Sequence, residues 1–242
     1  MKSLEKGVGI WQILSSNLIT DIIYNAGFNL VIFDLEHGFQ NTEGLQNCLF
    51  TVSNTSIFTI ARVPSIDYQN IVQVIDTGID GLLFPKVENQ YDIERTINNS
   101  LLSPKGKKSF SPFVPRYKYG KDKNNDLNPM IGILIESQLG IDNSEKLLSY
   151  KEVDFVYFGA YDLSVELNKK GDIFHDEIIN CLKIVIKNAK IFNKKILSIY
   201  RNQDELKKLI NLGVDFPIAS VDTSLILDKF KEEYGRYFNS IS

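Results

Sequence analysis

Eight short apolar runs, each followed by an amphipathic segment, constrain the fold of this chain more than any other feature. They are rich in β-branched and aromatic residues. They are GVGIWQIL (7–14), LVIFDLE (30–36), SIFTIAR (56–62), GLLFPK (81–86), IGILIE (131–136), DFVYFG (154–159), KILSIY (195–200) and VDFPIA (214–219). Because strands buried on both faces read as continuous apolar runs, this alternation predicts parallel βαβ units.

Helix-like segments fill the intervals between these runs. They cover residues 17–26, 42–53, 67–77, 88–100, 138–149, 174–193 and 202–212. Asn17, Thr42 and Asp67 are candidate N-caps, and Gly78 and Gly213 follow helix ends. Eight such units in one chain predict a (β/α)₈ TIM barrel, with residues 1–242 as a single domain. A doubly wound open sheet is the alternative, weakened because no G-x-G-x-x-G follows the first strand.

Composition and charge exclude several classes of protein. The chain is 43% hydrophobic and 24% charged, typical of a globular protein with a substantial core. A net charge of -3 gives no electrostatic basis for nucleic-acid binding. No apolar stretch approaches the ~20 residues that span a bilayer, and we identify no signal peptide. Cys48 and Cys181 are too few for a disulfide framework, so we predict a cytoplasmic protein.

One long segment interrupts the alternation. Residues 103–129, SPKGKKSFSPFVPRYKYGKDKNNDLNP, contain Pro, Gly and many charges with little periodicity. A loop of this length inside a compact domain is usually functional or disordered. Because the strand–helix alternation resumes directly afterwards, we do not interpret it as a domain boundary.

Polar side chains follow four of the predicted strands. His37 follows the second strand, Arg62 ends the third, Glu136 ends the fifth and Asp162 follows the sixth. A barrel brings the carboxyl ends of its strands to one rim, where active sites lie. Two carboxylates suit a hard divalent ion, an arginine can stabilise an anionic oxygen, and a histidine moves protons near neutral pH. The sequence therefore predicts a site at this rim.

Each of these residues also has a structural interpretation. His37 can be an ordinary loop histidine, and Arg62 can be a structural ion-pair partner. Glu136, after an apolar run, requires either a metal or a salt-bridge partner if it is buried. Asp162 can cap the helix that DLSVELN indicates.

Three further residues are weighed in the same way. Lys86 follows the fourth strand and is a conceivable Schiff-base lysine, but the chain is rich in lysine. Trp11 is compatible with packing at the barrel rim. His175 lies in a hydrophilic helix start and is expected at the surface.

Several motifs resemble those of one known family. GIWQILSSN (9–17) resembles its opening strand, AGFNLVIFDLEHG (26–38) its histidine motif, and the segment 61–89, beginning ARVPSID, its arginine motif. ILIES and VDFVYFGAYDLS resemble its two metal-ligand motifs. In order and spacing these segments resemble the HpcH/HpaI aldolase and citrate lyase family, and within it the metal-dependent pyruvate aldolases. SPKGKKS and YKYG resemble a family loop near the mouth of the site.

The resemblance implies a reaction and roles for four residues. Glu136 and Asp162 would bind a divalent cation, Mg²⁺, Mn²⁺ or Co²⁺, which pyruvate chelates. Arg62 would stabilise the enolate oxygen, and His37 would act as acid and base. The implied reaction cleaves a 2-keto-(3-deoxy)-4-hydroxy acid to pyruvate and an aldehyde, or runs in reverse. Glu36 would orient His37 or a metal-bound water.

The resemblance also implies substrate contacts and an assembly. The backbone of Gly159 and Ala160 would hold the pyruvate carboxylate, and Trp11 would help bind substrate. The family is usually trimeric or hexameric, with a C-terminal helix exchanged between subunits. Asp76 matches an acidic position that reaches a neighbouring subunit's site in some members.

One departure keeps other functions open. Aldolases of this group commonly carry Gln two residues before the metal-binding Glu, where this chain has Leu134. ILIESQLGIDN and FPKVEN look more like the citrate lyase β-subunit, so an acyl-CoA C–C lyase is the first alternative. That branch typically has an N-terminal arginine motif that is absent here, and it lacks the EHG segment. A catalytically idle barrel acting as a binding module is the second alternative.

Overall fold

The strands form a closed parallel barrel. The structure, a computed structural model, describes residues 4, 6–122 and 127–241. Each strand pairs with its neighbours in chain order, and the last strand pairs with the first. The strands are β1 Gly9–Gln12, β2 Leu30–Asp34, β3 Phe58–Arg62, β4 Gly81–Phe84, β5 Met130–Ile135, β6 Phe155–Phe158, β7 Lys195–Tyr200 and β8 Phe216–Val221. The predicted TIM barrel is confirmed, and the open-sheet alternative is wrong.

Helices follow the strands around the outside of the barrel. They are α1 Asn17–Asn25, α2 Thr42–Thr51, α3 Tyr68–Asp76, α4 Gln90–Ser100, α5 Gln138–Asp142, α6 Ser144–Leu148, α7 Ala160–Glu166, α8 Asp176–Ile191, α9 Gln203–Leu212 and α10 Asp222–Ile241. Asp67 caps α3 as predicted, and Gly213 ends α9 in the left-handed region at φ 95°. The caps of α1 and α2 are Ser16 and Asn41, each one residue earlier than predicted.

A buried carboxylate fastens the last strand to the first. Asp222, at the start of α10, is 3% exposed. Its two carboxylate oxygens accept hydrogen bonds from the backbone N–H groups of Ile13 and Leu14, each at 3.1 Å. Because Ile13 and Leu14 directly follow β1, this side chain ties the two ends of the barrel sequence together at the carboxyl rim.

The long segment after α4 lies at the amino-terminal end of the barrel. It contains a 3₁₀ helix at Pro115–Gly120. The buried guanidinium of Arg116 donates to the backbone carbonyls of Ile75 and Leu127, both at 2.7 Å, and to that of Ile79. Burial lowers the pKa of Arg116 to about 10. Ile75 and Ile79 flank the turn between α3 and β4, so Arg116 fastens the segment there.

The expected position of this segment near the mouth of the site is therefore wrong for its own barrel. The physical reason is that the segment connects α4 to β5, and connections from a helix to the next strand lie at the amino ends of the strands. Lys108 in this segment pairs with Asp76 at the end of α3, with 3.1 Å between Nζ and Oδ1.

The C-terminal helix α10 leaves large apolar side chains uncovered in the single chain. It contacts β1 and β8 of its own barrel. Its exposed large side chains are Leu225, Leu227, Phe230, Tyr234, Tyr237 and Phe238, of which Phe230 and Tyr234 are each 69% exposed. In the described part of the chain, the helices are all too short or too polar to cross a membrane.

Candidate active site

The carboxyl ends of the strands surround a cavity of about 230 Å³. Seven of the eight predicted site residues line it: Trp11, His37, Arg62, Glu136, Gly159, Ala160 and Asp162. The eighth, Asp76, closes α3 at the opposite end of the barrel and pairs with Lys108. Asp76 is therefore outside the cavity of its own chain.

The arginine at the end of β3 is held by two carboxylates. Asp34 and Arg62 are register partners on β2 and β3. Arg62 donates from Nε to Asp34 Oδ1 at 2.9 Å and from Nη2 to Asp34 Oδ2 at 2.5 Å. Its Nη1 lies 3.2 Å from Glu36 Oε2. Burial alone would lower the pKa of Arg62, but the hydrogen bond and charge of Asp34 outweigh it and raise the pKa.

Asp34 also shapes the turn that follows β2. Its Oδ1 accepts the backbone N–H groups of Glu36 at 3.0 Å and His37 at 3.1 Å. One buried carboxylate therefore fixes both the arginine and the backbone that carries the histidine. This explains why the apolar run of β2 ends in a group of charged side chains. Glu36 itself contacts Arg62, and its expected role in orienting His37 or a metal-bound water stays a prediction.

Among Asp34, Glu36, Arg62 and His37, the exposed residue is His37. Its side chain lines the cavity and is also open to solvent. Such a position suits a group that exchanges protons between a bound molecule and water.

Two carboxylates meet on the other side of the cavity. Glu136 follows β5 and is 7% exposed, whereas Asp162 lies in the first turn of α7 and is exposed. Burial, and then the negative charge of Asp162, raise the pKa of Glu136 to about 7. The backbone N–H of Lys86 donates to Glu136 Oε1 at 3.0 Å and opposes this shift. No salt-bridge partner for Glu136 lies within 4.0 Å among the residues described here, so the salt-bridge interpretation of Glu136 is wrong.

Lys86 contacts this group through its backbone. It adopts a left-handed conformation with φ 52°, which is uncommon for a residue other than glycine. Its side chain is exposed. Lys86 therefore contacts Glu136 through its backbone N–H, and its ammonium group is not part of the contact with the carboxylates.

The start of α7 forms one wall of the cavity. Gly159 is its N-cap, so the interpretation of Asp162 as the cap is wrong. A Cβ on Gly159 would lie 2.5 Å from the Cβ of Glu136, so the close approach of the two strands requires glycine. The N–H of Gly159 is donated to Ile135 O at 2.9 Å. Of the two expected backbone donors, the N–H of Gly159 is therefore already used, and that of Ala160, the first residue of α7, has no acceptor within its own helix.

Trp11 joins the floor of the cavity to Arg62. The Cζ atom of Arg62 lies 4.8 Å from the centre of the Trp11 ring. The Nε1 of Trp11 donates to the hydroxyl oxygen of Tyr157 at 2.8 Å, and the two rings meet edge to face. Trp11 is 6% exposed and contacts both the guanidinium of Arg62 and the hydroxyl of Tyr157. Its role therefore goes beyond packing at the barrel rim.

A metal ion fits the chemistry of the cavity. Among the residues described, no group of three or more His, Cys, Asp or Glu is placed to hold a metal. Glu136 and Asp162 nevertheless place two carboxylates close enough for the charge of one to raise the pKa of the other. A divalent cation relieves such repulsion, and an oxygen donor set suits Mg²⁺ or Mn²⁺.

Sequence reasoning gave no role to two residues of the site. Asp34 ends an apolar strand. The available signal was that an acidic residue at the end of one strand pairs in register with an arginine at the end of the next. Tyr157 was hidden in the apolar run DFVYFG, and a phenol in a strand interior was the available signal.

Comparison with known proteins identifies relatives over nearly the whole chain. The profile of the HpcH/HpaI aldolase/citrate lyase family matches residues 8–228. A 5-keto-4-deoxy-D-glucarate aldolase of Salmonella gallinarum is 25% identical over 240 residues, covering 93% of this chain and 92% of that protein.

Solved structures share the fold. An HpcH/HpaI aldolase/citrate lyase family protein from Burkholderia cenocepacia J2315 superposes with a TM-score of 0.91 at 20% identity, covering 96% and 95% of the two chains. A citrate lyase β-subunit from Mycobacterium tuberculosis, complexed with oxaloacetate and magnesium, gives 0.59 at 14% identity, covering 89% and 92%. The chain belongs to the HpcH/HpaI aldolase/citrate lyase family, and within it is an aldolase, a carbon–carbon lyase.

Proposed function

We propose that this aldolase is metal-dependent and cleaves a 2-keto-(3-deoxy)-4-hydroxy acid to pyruvate and an aldehyde, or catalyses the reverse addition. The observation that carries the proposal is that negative carboxylates and a positive guanidinium line opposite sides of one cavity. Glu136 and Asp162 repel each other on one side, and Arg62 lies on the other. An anionic keto acid and a divalent cation complement this arrangement.

Glu136 and Asp162 are the residues that would hold the cation, Mg²⁺ or Mn²⁺, with Co²⁺ as a further candidate. Bound there, it would withdraw electron density from the keto oxygen of the substrate. The Lys86 N–H holds Oε1 of Glu136, and no hydrogen bond between described residues uses Oε2. The magnesium in the citrate lyase β-subunit of the same fold is consistent with this choice.

Arg62 would stabilise the negative charge that develops when the C3–C4 bond breaks. Hydrogen bonds to Asp34 use two of its five N–H groups, and Nη1 forms an ion pair with Glu36, so the remaining N–H groups can donate to a substrate oxygen. Because both partners hold the guanidinium in place before substrate binds, no reorganisation is needed during the reaction.

His37 would remove the proton from the C4 hydroxyl as the aldehyde forms. Its exposure allows that proton to pass to solvent. In the reverse direction the same imidazole donates the proton to the new hydroxyl group.

The walls of the cavity would position the keto acid. The Ala160 N–H would donate to the substrate carboxylate, and Gly159 would supply the space beside it. Leu134, at the position where related aldolases commonly carry Gln, makes the floor below Glu136 apolar. Trp11 would complete this floor while supporting Arg62.

We also propose a homo-oligomer, a trimer or hexamer, in which α10 packs against a neighbouring subunit. The uncovered apolar side chains of α10 support this proposal. In such an assembly Asp76 would reach the site of another subunit, since it lies far from its own. Phe230→Asp should reduce the mass measured by light scattering, while Lys231→Asp, one residue away, should leave it unchanged.

The experiment that tests the reaction is a panel of aldehydes, including succinic semialdehyde, glyoxylate and sugar-derived hydroxyaldehydes, with pyruvate and Mg²⁺ or Mn²⁺. In D₂O without an aldehyde, the same metals should promote exchange of the pyruvate C3 protons. Exchange with no effect of CoA would exclude the acyl-CoA lyase alternative. Absence of exchange with every metal would contradict the proposal and favour the idle barrel.

A further inference from the structure

The floor of the cavity contains the hydroxyl group of Tyr157. Tyr157 is 4% exposed and its ring forms part of the cavity wall. Its oxygen accepts the hydrogen bond from Trp11 Nε1 at 2.8 Å. Among the hydrogen bonds between described residues, none has the Tyr157 O–H as its donor. A buried donor without an acceptor is costly, so its position at the edge of a cavity indicates an acceptor that binds there.

The register of the barrel places this hydroxyl below the metal-binding side of the site. Tyr157 on β6 is paired with Leu134 on β5. Two residues further along each strand come Gly159 and Glu136, on the same face of the sheet. Tyr157 therefore lies one layer below the residues proposed to hold the keto acid, and beside the apolar Leu134.

The hydroxyl is a donor rather than a base. Burial raises the pKa of Tyr157, although the hydrogen bond from Trp11 and the charge of Arg62 oppose this rise. The phenol therefore keeps its proton at neutral pH. Because the indole N–H occupies one side of the oxygen, the O–H is restricted to the remaining directions in the plane of the ring.

We propose that Tyr157 is a substrate-binding residue, whose O–H donates a hydrogen bond to an oxygen of the keto-acid half of the substrate. It supplies from β6 the polar contact that Leu134 cannot supply from the neighbouring position on β5. This inference rests on the proposed function, because it takes the bound molecule to be a 2-keto acid.

The test compares Tyr157→Phe with Tyr200→Phe. Tyr200 is half-buried at the end of β7, adjacent to Ile199, which lines the cavity, so its own ring faces the helices. Each variant loses one phenolic oxygen. Trp11 is the single tryptophan of the chain, so its fluorescence reports pyruvate binding at this cavity without turnover. Thermal unfolding checks that both variants fold.

Tyr157→Phe should weaken pyruvate binding about 10- to 100-fold, the usual loss for a hydrogen bond to a charged group. The KM for pyruvate should rise by a similar factor with every aldehyde, and Tyr200→Phe should resemble the wild type. Unchanged pyruvate binding in Tyr157→Phe would overturn the proposal. A loss that varies with the aldehyde would also overturn it, because the hydroxyl would then face the other half of the substrate.

Failure of the proposed function is visible separately. It would appear in the wild type, as a lack of pyruvate binding or of metal-dependent exchange. The inference about Tyr157 fails if the wild type binds pyruvate and Tyr157→Phe binds it equally well. If Tyr157→Phe unfolds, Leu134→Gln provides a second variant, which should bind pyruvate more tightly by adding an amide beside the phenol. Weaker or equal binding in Leu134→Gln would count against an oxygen acceptor at this layer.

Discussion

Replacing Glu136 by Gln should abolish activity and yet stabilise the metal-free protein above neutral pH. The amide keeps the oxygen that accepts the Lys86 N–H, so the local backbone is preserved. What changes is the charge. In the folded chain the pKa of Glu136 is about 7, compared with its ordinary value of 4.5.

The sign of the effect follows from proton binding. Between pH 4.5 and 7 the folded state retains the Glu136 proton that the unfolded state has lost, so stability falls as pH rises through this window. Above pH 7 the full difference is present, corresponding to about 3 kcal/mol at most. For a chain of this length that is about 6–12 °C in Tm. Glu136→Gln has no such charge and should not lose this stability.

The assay is thermal unfolding of chelator-treated protein at pH 5 and pH 8. Glu136→Gln should match the wild type at pH 5 and exceed it at pH 8. Glu43→Gln, an exposed glutamate in the first turn of α2, should behave as the wild type does at both values. Mn²⁺ should raise the Tm of the wild type and leave that of Glu136→Gln unchanged. An equal difference between the two proteins at pH 5 and pH 8 would refute the argument from burial.

Three further predictions concern the remaining site residues. Arg62→Ala should slow both aldol cleavage and pyruvate proton exchange by ~10²–10³, and Arg62→Lys should restore only part of either rate, because an ammonium cannot bridge Asp34 and Glu36. His37→Ala should slow cleavage by ~10²–10⁴ while metal titration gives an unchanged affinity, and a loss as severe as in Glu136→Gln would make the histidine a ligand. Borohydride with pyruvate should leave Lys86 unmodified by mass spectrometry, whereas a trapped adduct would indicate a Schiff-base enzyme.

The fold was predictable because its signals are local. Every apolar run became a strand, since parallel strands buried on both faces require such runs. Helix starts were less certain, because Ser16 competes with Asn17, and Asn41 with Thr42, for the same N–H groups. The segment 138–149 reads as one helix, but it divides at Asn143 into α5 and α6. The segment DLSVELN indicated α7 but placed its cap at Asp162, three residues after the observed cap Gly159, and α10 was expected only from the family resemblance.

The site was predictable as a set of strand ends, and less so as a set of contacts. Strand order alone brings Arg62, Glu136 and Asp162 to one rim. The bidentate contact of Asp34 depends on the register of β2 and β3, which apolar runs do not encode. The hydrogen bond between Trp11 and Tyr157 joins strands that are far apart in the chain. The expected position of the long segment, near the mouth of the site, was wrong for its own barrel. The segment connects a helix to the next strand, and such connections lie at the amino ends of the strands.

The carboxylate of Asp222 gives the barrel an order of completion during synthesis. The two neighbours of β1 in the barrel are β2, the next strand in the chain, and β8, which is made after all the other strands. Until residue 222 is available, the N–H groups of Ile13 and Leu14 have no carboxylate to receive them. The hydrogen bonds that fasten the two ends of the barrel at this rim therefore form only after residue 222 has been made. A circular permutation that joins residue 242 to residue 1 and begins the chain before β5 would bring β8 and β1 together midway through translation, and the barrel would then close last between β4 and β5.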